Sequence, residues 1–385
     1  MALNKPDLIV IGSGLYGLTI ARKFVDQFEG RVLIIEKRKH IGGNAWSTKD
    51  RETGIEIHNY GSHLFHTSNK KVIEFLNRFT SFNDYKHTVY SVADGKIYSM
   101  PFNLMTISQV FNKSISPEEA KIIIQNEIKS ALISKSEIEK SLEHKALSSI
   151  GKTLYELLVK GYTKKQWQIN PAELPANVIA RLPIRYNFNN SYFFDKFQGL
   201  PLDGYAKMLT RISDHARIEI LLDCDYFDSK WKNLKDVLKV YTGPLDKYFS
   251  YTHGMLQWRT LDFEIEKLPV DDYQGAAVVN YADENIPYTR IHEFKHLHPE
   301  REYLKNQTII MKEYSRLARD IDEPYYPVNS ATDREVLLKY RELAKLEKNV
   351  IFGGRLGTYK YLDMDMAIAS ALTSFEQEVI PVFKK

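Results

Sequence analysis

The chain has one cysteine, Cys224, in 385 residues. That excludes an intramolecular disulfide and a thiolate metal cluster, and it fits a reducing, cytoplasmic setting. Long apolar runs are also missing: no uninterrupted stretch approaches the roughly 20 residues a membrane helix needs, and Met1 to Pro6 is too short and polar for a signal peptide. No charge of one sign dominates. Fifty-three Lys plus Arg against 49 Asp plus Glu leave +4, which argues against a nucleic-acid platform and leaves room for local basic sites that take anionic ligands. Internal repeats and low-complexity tracts are absent. What is present is a chain long enough for two or three lobes, 43% hydrophobic, and so able to bury sizeable cores. Aromatic residues make up 12% of it, with 24 Tyr, 19 Phe and 4 Trp. Many sit beside Pro, Asn, Arg or Gly, which suits stacking on sugars and bases.

The most informative stretch is DLIVIGSGLYG, residues 7–17, where a short apolar run breaks into Gly12-x-Gly14-x-x-Gly17. It reads as strand, tight turn and helix: Gly12 permits the turn, Gly14 lets the backbone approach a pyrophosphate, and Gly17 lets the helix pack on the strand. The helix N-terminus then faces the phosphates. A second apolar run, RVLIIE, places Glu36 24 residues after Gly12, where a ribose hydroxyl needs an acceptor. These residues alone allow NAD. Gly42-Gly43-Asn44, in a loop that would lie over the same pyrophosphate, and features near the C-terminal end favour FAD. There is a single Gly-x-Gly-x-x-Gly in the chain. A dedicated NADPH lobe beside FAD commonly carries a second one, so any reductant must use the substrate side or another protein.

The predicted organisation starts with a β-α-β unit, its helix at Leu15 to Phe28 and its strands parallel. Ser116-Pro117-Glu118-Glu119 offers an N-cap, a first-turn proline and a capping-box glutamate before an amphipathic helix. Two further helices are expected at Ser136 to Ile150 and Thr153 to Lys160, stopped by Gly151 and Gly161. Pro171, Pro175 and Pro183 punctuate a segment read as a mobile lid. The runs ARIEILLDCDYF, DVLKVYTG and GAAVVNYAD are expected to build an antiparallel sheet roofing the cofactor. Val350 to Arg355 reads as a strand ending in glycines and Met364 to Phe375 as a helix. The expected units are residues 1–80 and 346–385 for the cofactor domain, 81–103 for a sheet segment, 104–170 for helices, 171–190 for the lid and 191–345 for the antiparallel sheet with return segments.

Several pieces, in order along nearly the whole chain, resemble the UDP-galactopyranose mutase family: IGSGLYG, IEKRKHIGGNAW, NYGSHLFHT, GYTKKQW, RLPIRYNF, NNSYF, VYTGPLD, NYADENIPYTRIHEFKH, EPYYPV and GGRLGTYKYLDMD. The resemblance implies an α/β fold of the glutathione-reductase type: an FAD-binding Rossmann-like domain, a helical insert and a six-stranded antiparallel sheet around the substrate. It implies an isomerase that interconverts UDP-galactopyranose and UDP-galactofuranose, the latter destined for cell-surface glycans. In that chemistry N5 of reduced FAD bonds to the anomeric carbon as UDP leaves, and the sugar recloses as a five-membered ring. An external reductant, NAD(P)H or a reductase, and a homodimer are further expectations.

Residue by residue, the resemblance places the cofactor against Gly12, Ser13, Gly14, Tyr16, Gly17, Glu36, Lys37, Gly43, Asn44, His63, Leu64, Asp225, Tyr226, Arg355, Leu362, Asp363 and Met364. It makes Tyr162 and Trp167 the uracil platform, lined by Leu158 and Val159. It makes Arg181 and Arg290 the diphosphate arginines and sets His87, Tyr192, Asn280, Tyr326 and Tyr361 around sugar and phosphates. Arg181, Arg290 and His63 are the expected catalytic residues. His63 and His66 have a spacing that metal pairs use, but no acidic or cysteine partner accompanies them, so no metal is expected. Taken alone, the same side chains also read as ordinary packing: buried histidines, solvated arginines, aromatics covering a helix end. The rival enzyme is a flavin-dependent oxidoreductase of the amine oxidase or desaturase type. A non-catalytic nucleotide-sugar sensor is the rival outside enzymes.

Overall fold

The computed structural model describes residues 5–131, 141–176 and 184–384. The runs at Leu8–Ile11 and Val32–Ile35 are buried at every position, as strands covered on both faces are. They pair in parallel across the helix Leu15–Gln27. Three more strands extend this parallel sheet, in the order Val350–Phe352, Leu238–Tyr241, Leu8–Ile11, Val32–Ile35, Ile218–Leu221. The α/β class and the Rossmann-like start are therefore as predicted.

Two of the runs expected in the antiparallel sheet are in this parallel one instead, as Ile218–Leu221 and Leu238–Tyr241. Leu238–Tyr241 lies between two parallel neighbours and is buried throughout, so its apolar run reports a central position rather than an antiparallel face. GAAVVNYAD does join the second sheet, as Val278–Tyr281. Among the described residues that sheet has seven strands rather than six, ordered Tyr326–Pro327, Trp258–Leu268, Thr308–Leu317, Arg290–Glu293, Val278–Tyr281, Val89–Ala93, Lys96–Met100. One pairing in it, Val278–Tyr281 with Val89–Ala93, is parallel, so the sheet is mixed, with Lys96–Met100 at its outer edge.

The helical insert contains Leu104–Val110, Pro117–Ser130 and Leu142–Leu154, then a wide turn at Tyr155–Lys160 leading into Gly161–Trp167. Ser116 and Glu119 form the expected capping box. The helix start expected at Ser136 lies outside the described residues; the observed helix is capped by Ser141, whose side chain accepts from His144 N at 3.3 Å. Gly151 breaks the helical backbone (φ 77°, ψ 174°). Gly161 stops nothing: its backbone is helical (φ −66°, ψ −41°), and a Cβ there would lie 2.2 Å from the Ala282 carbonyl oxygen. Glycine at 161 thus serves helix-to-sheet approach. The insert has its own apolar core, around Ile107, Ile124, Ile150, Leu154 and Leu158. A larger core joins the two sheets, running from Leu8, Val10 and Ile34 to Val278, Ile309 and Met311. No described helix is long and apolar enough to cross a membrane.

Candidate functional site

A cleft of about 530 Å³ opens along the ends of the parallel strands, the usual ligand position in such sheets. Gly12 takes φ +96°, and a Cβ on it would lie 2.1 Å from Thr242 Oγ1; one on Gly17 would lie 2.2 Å from the Gly12 carbonyl oxygen. A Cβ on Gly14 would meet no protein atom within 4 Å, so the glycine loop leaves space on the ligand side. Gly14 also begins the helix Leu15–Gln27 without any side-chain cap, which leaves first-turn N–H groups for an anion. The Gly42–Gly43 loop lies on this turn: Gly42 N donates to Ser13 O at 2.8 Å, and a Cβ on Gly43 would come 3.3 Å from Gly14 Cα. Glu36 lines the cleft while accepting from Ser13 N (2.8 Å), Ser13 Oγ (2.6 Å) and Arg38 N (2.9 Å).

All the expected cofactor residues line this cleft except Ser13, Gly17 and Leu64. Ser13 is fully buried beneath Glu36, Gly17 faces the strand, and Leu64 packs on the main core. Asp225 and Tyr226 lie not in a strand but at a 3-10 turn, Tyr226–Asp228, where Asp225 pairs with Lys247 at 2.8 Å. Arg355 belongs to the short helix Gly354–Thr358 and donates to Tyr325 O (3.1 Å) and Leu362 O (2.7 Å). Asp363 precedes the helix Met364–Ser374.

Sequence reasoning missed Arg38, Thr242 and Glu323. Glu323 reaches across the cleft to Lys37 (2.8 Å) and Arg38 (2.7 Å), and Arg38 also holds Asn44 Oδ1 at 2.9 Å. Arg38 Nη1 is buried without a protein acceptor. Open space at Gly14, a bare helix start, an acid at the ribose position and this orphaned donor together fit a dinucleotide. Nothing local to Arg38 in the sequence announces a partner 285 positions away.

The loop 60–66 brings the second lobe to the cleft. His63 lines it; its N–H donates to His58 Nδ1 (3.0 Å) and its Nδ1–H to the Gly61 carbonyl (2.7 Å), which leaves Nε2 as the basic nitrogen. Burial pulls this imidazole down to about 4, against the Gly61 carbonyl, so it is neutral near pH 7. His66 donates to Asp195 (2.7 Å) and stacks on Phe193 with centroids 3.6 Å apart.

Beyond this loop the substrate-side residues gather around Arg290. It donates to the Tyr162 hydroxyl and pairs with Glu313 at 3.2 Å. Burial disfavours its charge, but Glu313, Tyr162, Tyr326 and Tyr192 around it keep the guanidinium protonated. Burial raises the Tyr162 hydroxyl. Asn280 faces Arg290 across the strands and has a buried, unpartnered Oδ1. Tyr326 and Tyr361 are 5.8 Å apart, and the Arg355 guanidinium lies 5.0 Å from the Tyr361 ring centre. His87 packs on Tyr192 (5.3 Å) and burial pulls it down to about 3. Leu158 and Val159 are 4% exposed in the wide turn, a geometry often found at functional sites. Trp167 packs against the same helical core. Arg181 lies outside the described residues.

Two more residues escaped the sequence reading. Glu313 Oε2 accepts from His292 Nε2–H at 3.1 Å, and His292 Nδ1 accepts from Ser62 Oγ at 2.7 Å. The available signal was Glu313 itself, an acid within the apolar run TIIMKEY, since a carboxylate is seldom fully buried unpaired.

Fold and cleft define a two-lobed dinucleotide-binding enzyme. A family model for an NAD(P)-binding Rossmann-like domain matches residues 10–79, and one for UDP-galactopyranose mutase matches residues 157–361. The chain belongs to the UDP-galactopyranose mutase family. It is 41% identical over 389 residues to a probable UDP-galactopyranose mutase of Klebsiella pneumoniae, covering 99% of both chains. It is also 41% identical over 380 residues to a dTDP-fucopyranose mutase of Escherichia coli, covering 96% of this chain and 97% of the relative. A crystal structure of reduced UDP-galactopyranose mutase shares the fold, with a TM-score of 0.72 at 12% identity, over 100% of this chain and 95% of the other. The family match favours an isomerase over the flavin oxidoreductase.

Proposed function

We propose that this chain interconverts UDP-galactopyranose and UDP-galactofuranose with FAD in the cleft. The observation that carries the reading is the charged Arg290 beside Tyr162, one loop away from the cofactor cleft, in a chain that matches a mutase relative over 99% of its length. Reduced FAD, which Gly12, Gly14, Gly43, Glu36 and Arg38 would hold, would supply nucleophilic chemistry toward the anomeric carbon. The protein's share is electrostatic and steric. Arg290 is held in place by Glu313 before any ligand arrives, so it meets the charge that grows on the leaving diphosphate without reorganising. Arg181 would add a second guanidinium. Neutral His63 keeps a basic nitrogen near the reacting centre without adding charge. Tyr162 lies beneath the uracil, while Tyr192, Tyr326 and Tyr361 surround the sugar and exclude water that would hydrolyse an intermediate. A reductant from outside the chain, a homodimer and a cytoplasmic location complete the proposal.

Dithionite-reduced protein, incubated anaerobically with UDP-galactopyranose, should give the furanose isomer without stoichiometric oxidation of flavin, and the purified protein should be yellow. Stoichiometric flavin oxidation without isomerisation would overturn the reading. The equal identity to the dTDP-fucopyranose mutase motivates a second substrate arm, dTDP-fucose. Faster turnover there would move the assignment to a deoxysugar and a thymine nucleotide within the same reaction class.

A further inference from the structure

A continuous polar chain joins the two sides of the reaction centre. Arg290 and His292, two apart in one strand, project to the same face of the sheet. Glu313 lies directly across from Arg290, so its carboxylate is shared: Oε1 is 3.2 Å from Arg290 Nε, and Oε2 is 3.1 Å from His292 Nε2. From His292 the chain continues through Nδ1 to Ser62 Oγ at 2.7 Å, and Ser62 is bonded to His63, which lines the cofactor cleft. Gly61 permits the turn that brings Ser62 round, with φ +91°.

The donors have a defined direction. Burial lowers His292 from its ordinary value, against Glu313, while Glu313, although buried, is brought down to about 2 by Arg290 and His292. A neutral imidazole that donates to the carboxylate has one acceptor left, and Ser62 O–H fills it. Glu313 and His292 are 3% and 1% exposed. Burying an ion pair is a weak source of stability, since apolar residues of the same volume commonly serve as well. Held between a guanidinium and an imidazole, the Glu313 carboxylate nonetheless fixes the relative placement of Arg290, His292 and Ser62.

We propose that Ser62 and His292 are positioning residues that couple the His63 loop to the guanidinium of Arg290, so that anion occupancy at Arg290 is felt at the cofactor. The proposal rests on the reading that a nucleotide diphosphate docks at Arg290. UDP is the probe, because it lacks the hexose that would meet the flavin ring, so an effect on flavin that depends on the Ser62 hydroxyl travels through the protein.

Titrating UDP into flavin-loaded protein should change the flavin absorbance of the parent. Ser62→Ala should weaken UDP binding roughly three- to tenfold, as for one lost hydrogen bond, and at saturating UDP should lose more than half of the absorbance change. Ser62→Thr, which keeps the hydroxyl, should restore both. A parent that binds UDP with an alanine variant matching it in affinity and absorbance overturns the relay alone. Equal losses in the alanine and threonine variants overturn it too, since shape rather than the hydroxyl would then matter. A parent that does not bind UDP overturns both the relay and the functional reading beneath it.

Discussion

The dinucleotide side of the cleft is built from what the chain leaves out, the substrate side from side chains that hold one another. At Gly12, Gly14 and Gly17 the missing Cβ atoms create a turn, a ligand space and a helix-to-strand contact, and the recognising groups are backbone N–H. Around Arg290, the geometry depends on Glu313, His292, Tyr162 and Ser62, each placed by another. The glycine turn and its overlying loop lie within residues 7–44, although further walls of the cleft come from 224–258, 317–324 and 354–367. The substrate side collects residues from loop 60–66, the helical insert and four strands. A backbone site tolerates almost any change except one that fills its space, whereas a side-chain network is sensitive at each member.

The largest effect is expected from Gly14→Val. Its φ of −64° suits any residue, and a Cβ there meets no protein atom within 4 Å, so the flavin-free variant should melt like the flavin-free parent and retain less than about a tenth of the parent's flavin. The flavin-to-protein absorbance ratio after gel filtration measures this, and a parent-like ratio would remove the cofactor from this cleft. Next in size is Arg290→Ala. It should cost about 2 to 4 kcal/mol of transition-state stabilisation, read as kcat/KM on reduced enzyme. Arg290→Lys should fall between, because an ammonium cannot reproduce the guanidinium fork. Activity within threefold of the parent in the alanine variant would take Arg290 out of the machinery.

Acidification sharpens the contrast, because the depressed groups cluster at the second lobe. His58, His63 and His87 are lowered by burial to about 3, 4 and 3. In the unfolded chain they take up protons near 6.5, so the stability of their neutral folded forms is complete above that pH and lost as pH falls through 6.5 toward 3. Glu313, lowered to about 2, contributes stability above 4.5 that is lost between 4.5 and 2. Both act in one direction. Tm should therefore fall by roughly 2 °C or more per unit between pH 6 and 4, and His87→Gln should flatten that slope; an unchanged slope would show that His87 is not buried neutral. The smallest effect is expected at the strap across the cleft. Glu323 is a third exposed and its ion pairs are partly solvated, so Glu323→Gln should speed flavin release only about two- to fivefold. Flavin fluorescence after dilution reads it, and an unchanged rate would show that the strap does not retain the cofactor.

What was legible in the sequence follows the same division. The β-α-β start, Glu36, the capping box at Ser116 and Glu119 and the helix at Met364 are set by neighbours within a few turns, so spacing reveals them. The sheet membership of Ile218–Leu221 and Leu238–Tyr241 was not, because an apolar run reports burial rather than the direction of its partner. Gly161 read as a terminator because its true constraint, the Ala282 carbonyl, lies 121 residues away. Resemblance supplied Arg290, Tyr162 and Tyr326, and Glu313 stood out as an acid in an apolar run, but Ser62 and His292 become visible only once the strands are paired.

The order of strands in the parallel sheet sets the timing of maturation. Leu8–Ile11 acquires its neighbour from residues 238–241, and the outer strand and far wall come from 350–364. A ribosome that has delivered the glycine loop has made only half a receptacle. The glycine loop therefore meets the rest of its walls only after residues 354–367 have been made, and the apolar strand Leu8–Ile11 is paired on one side alone until residues 238–241 arrive.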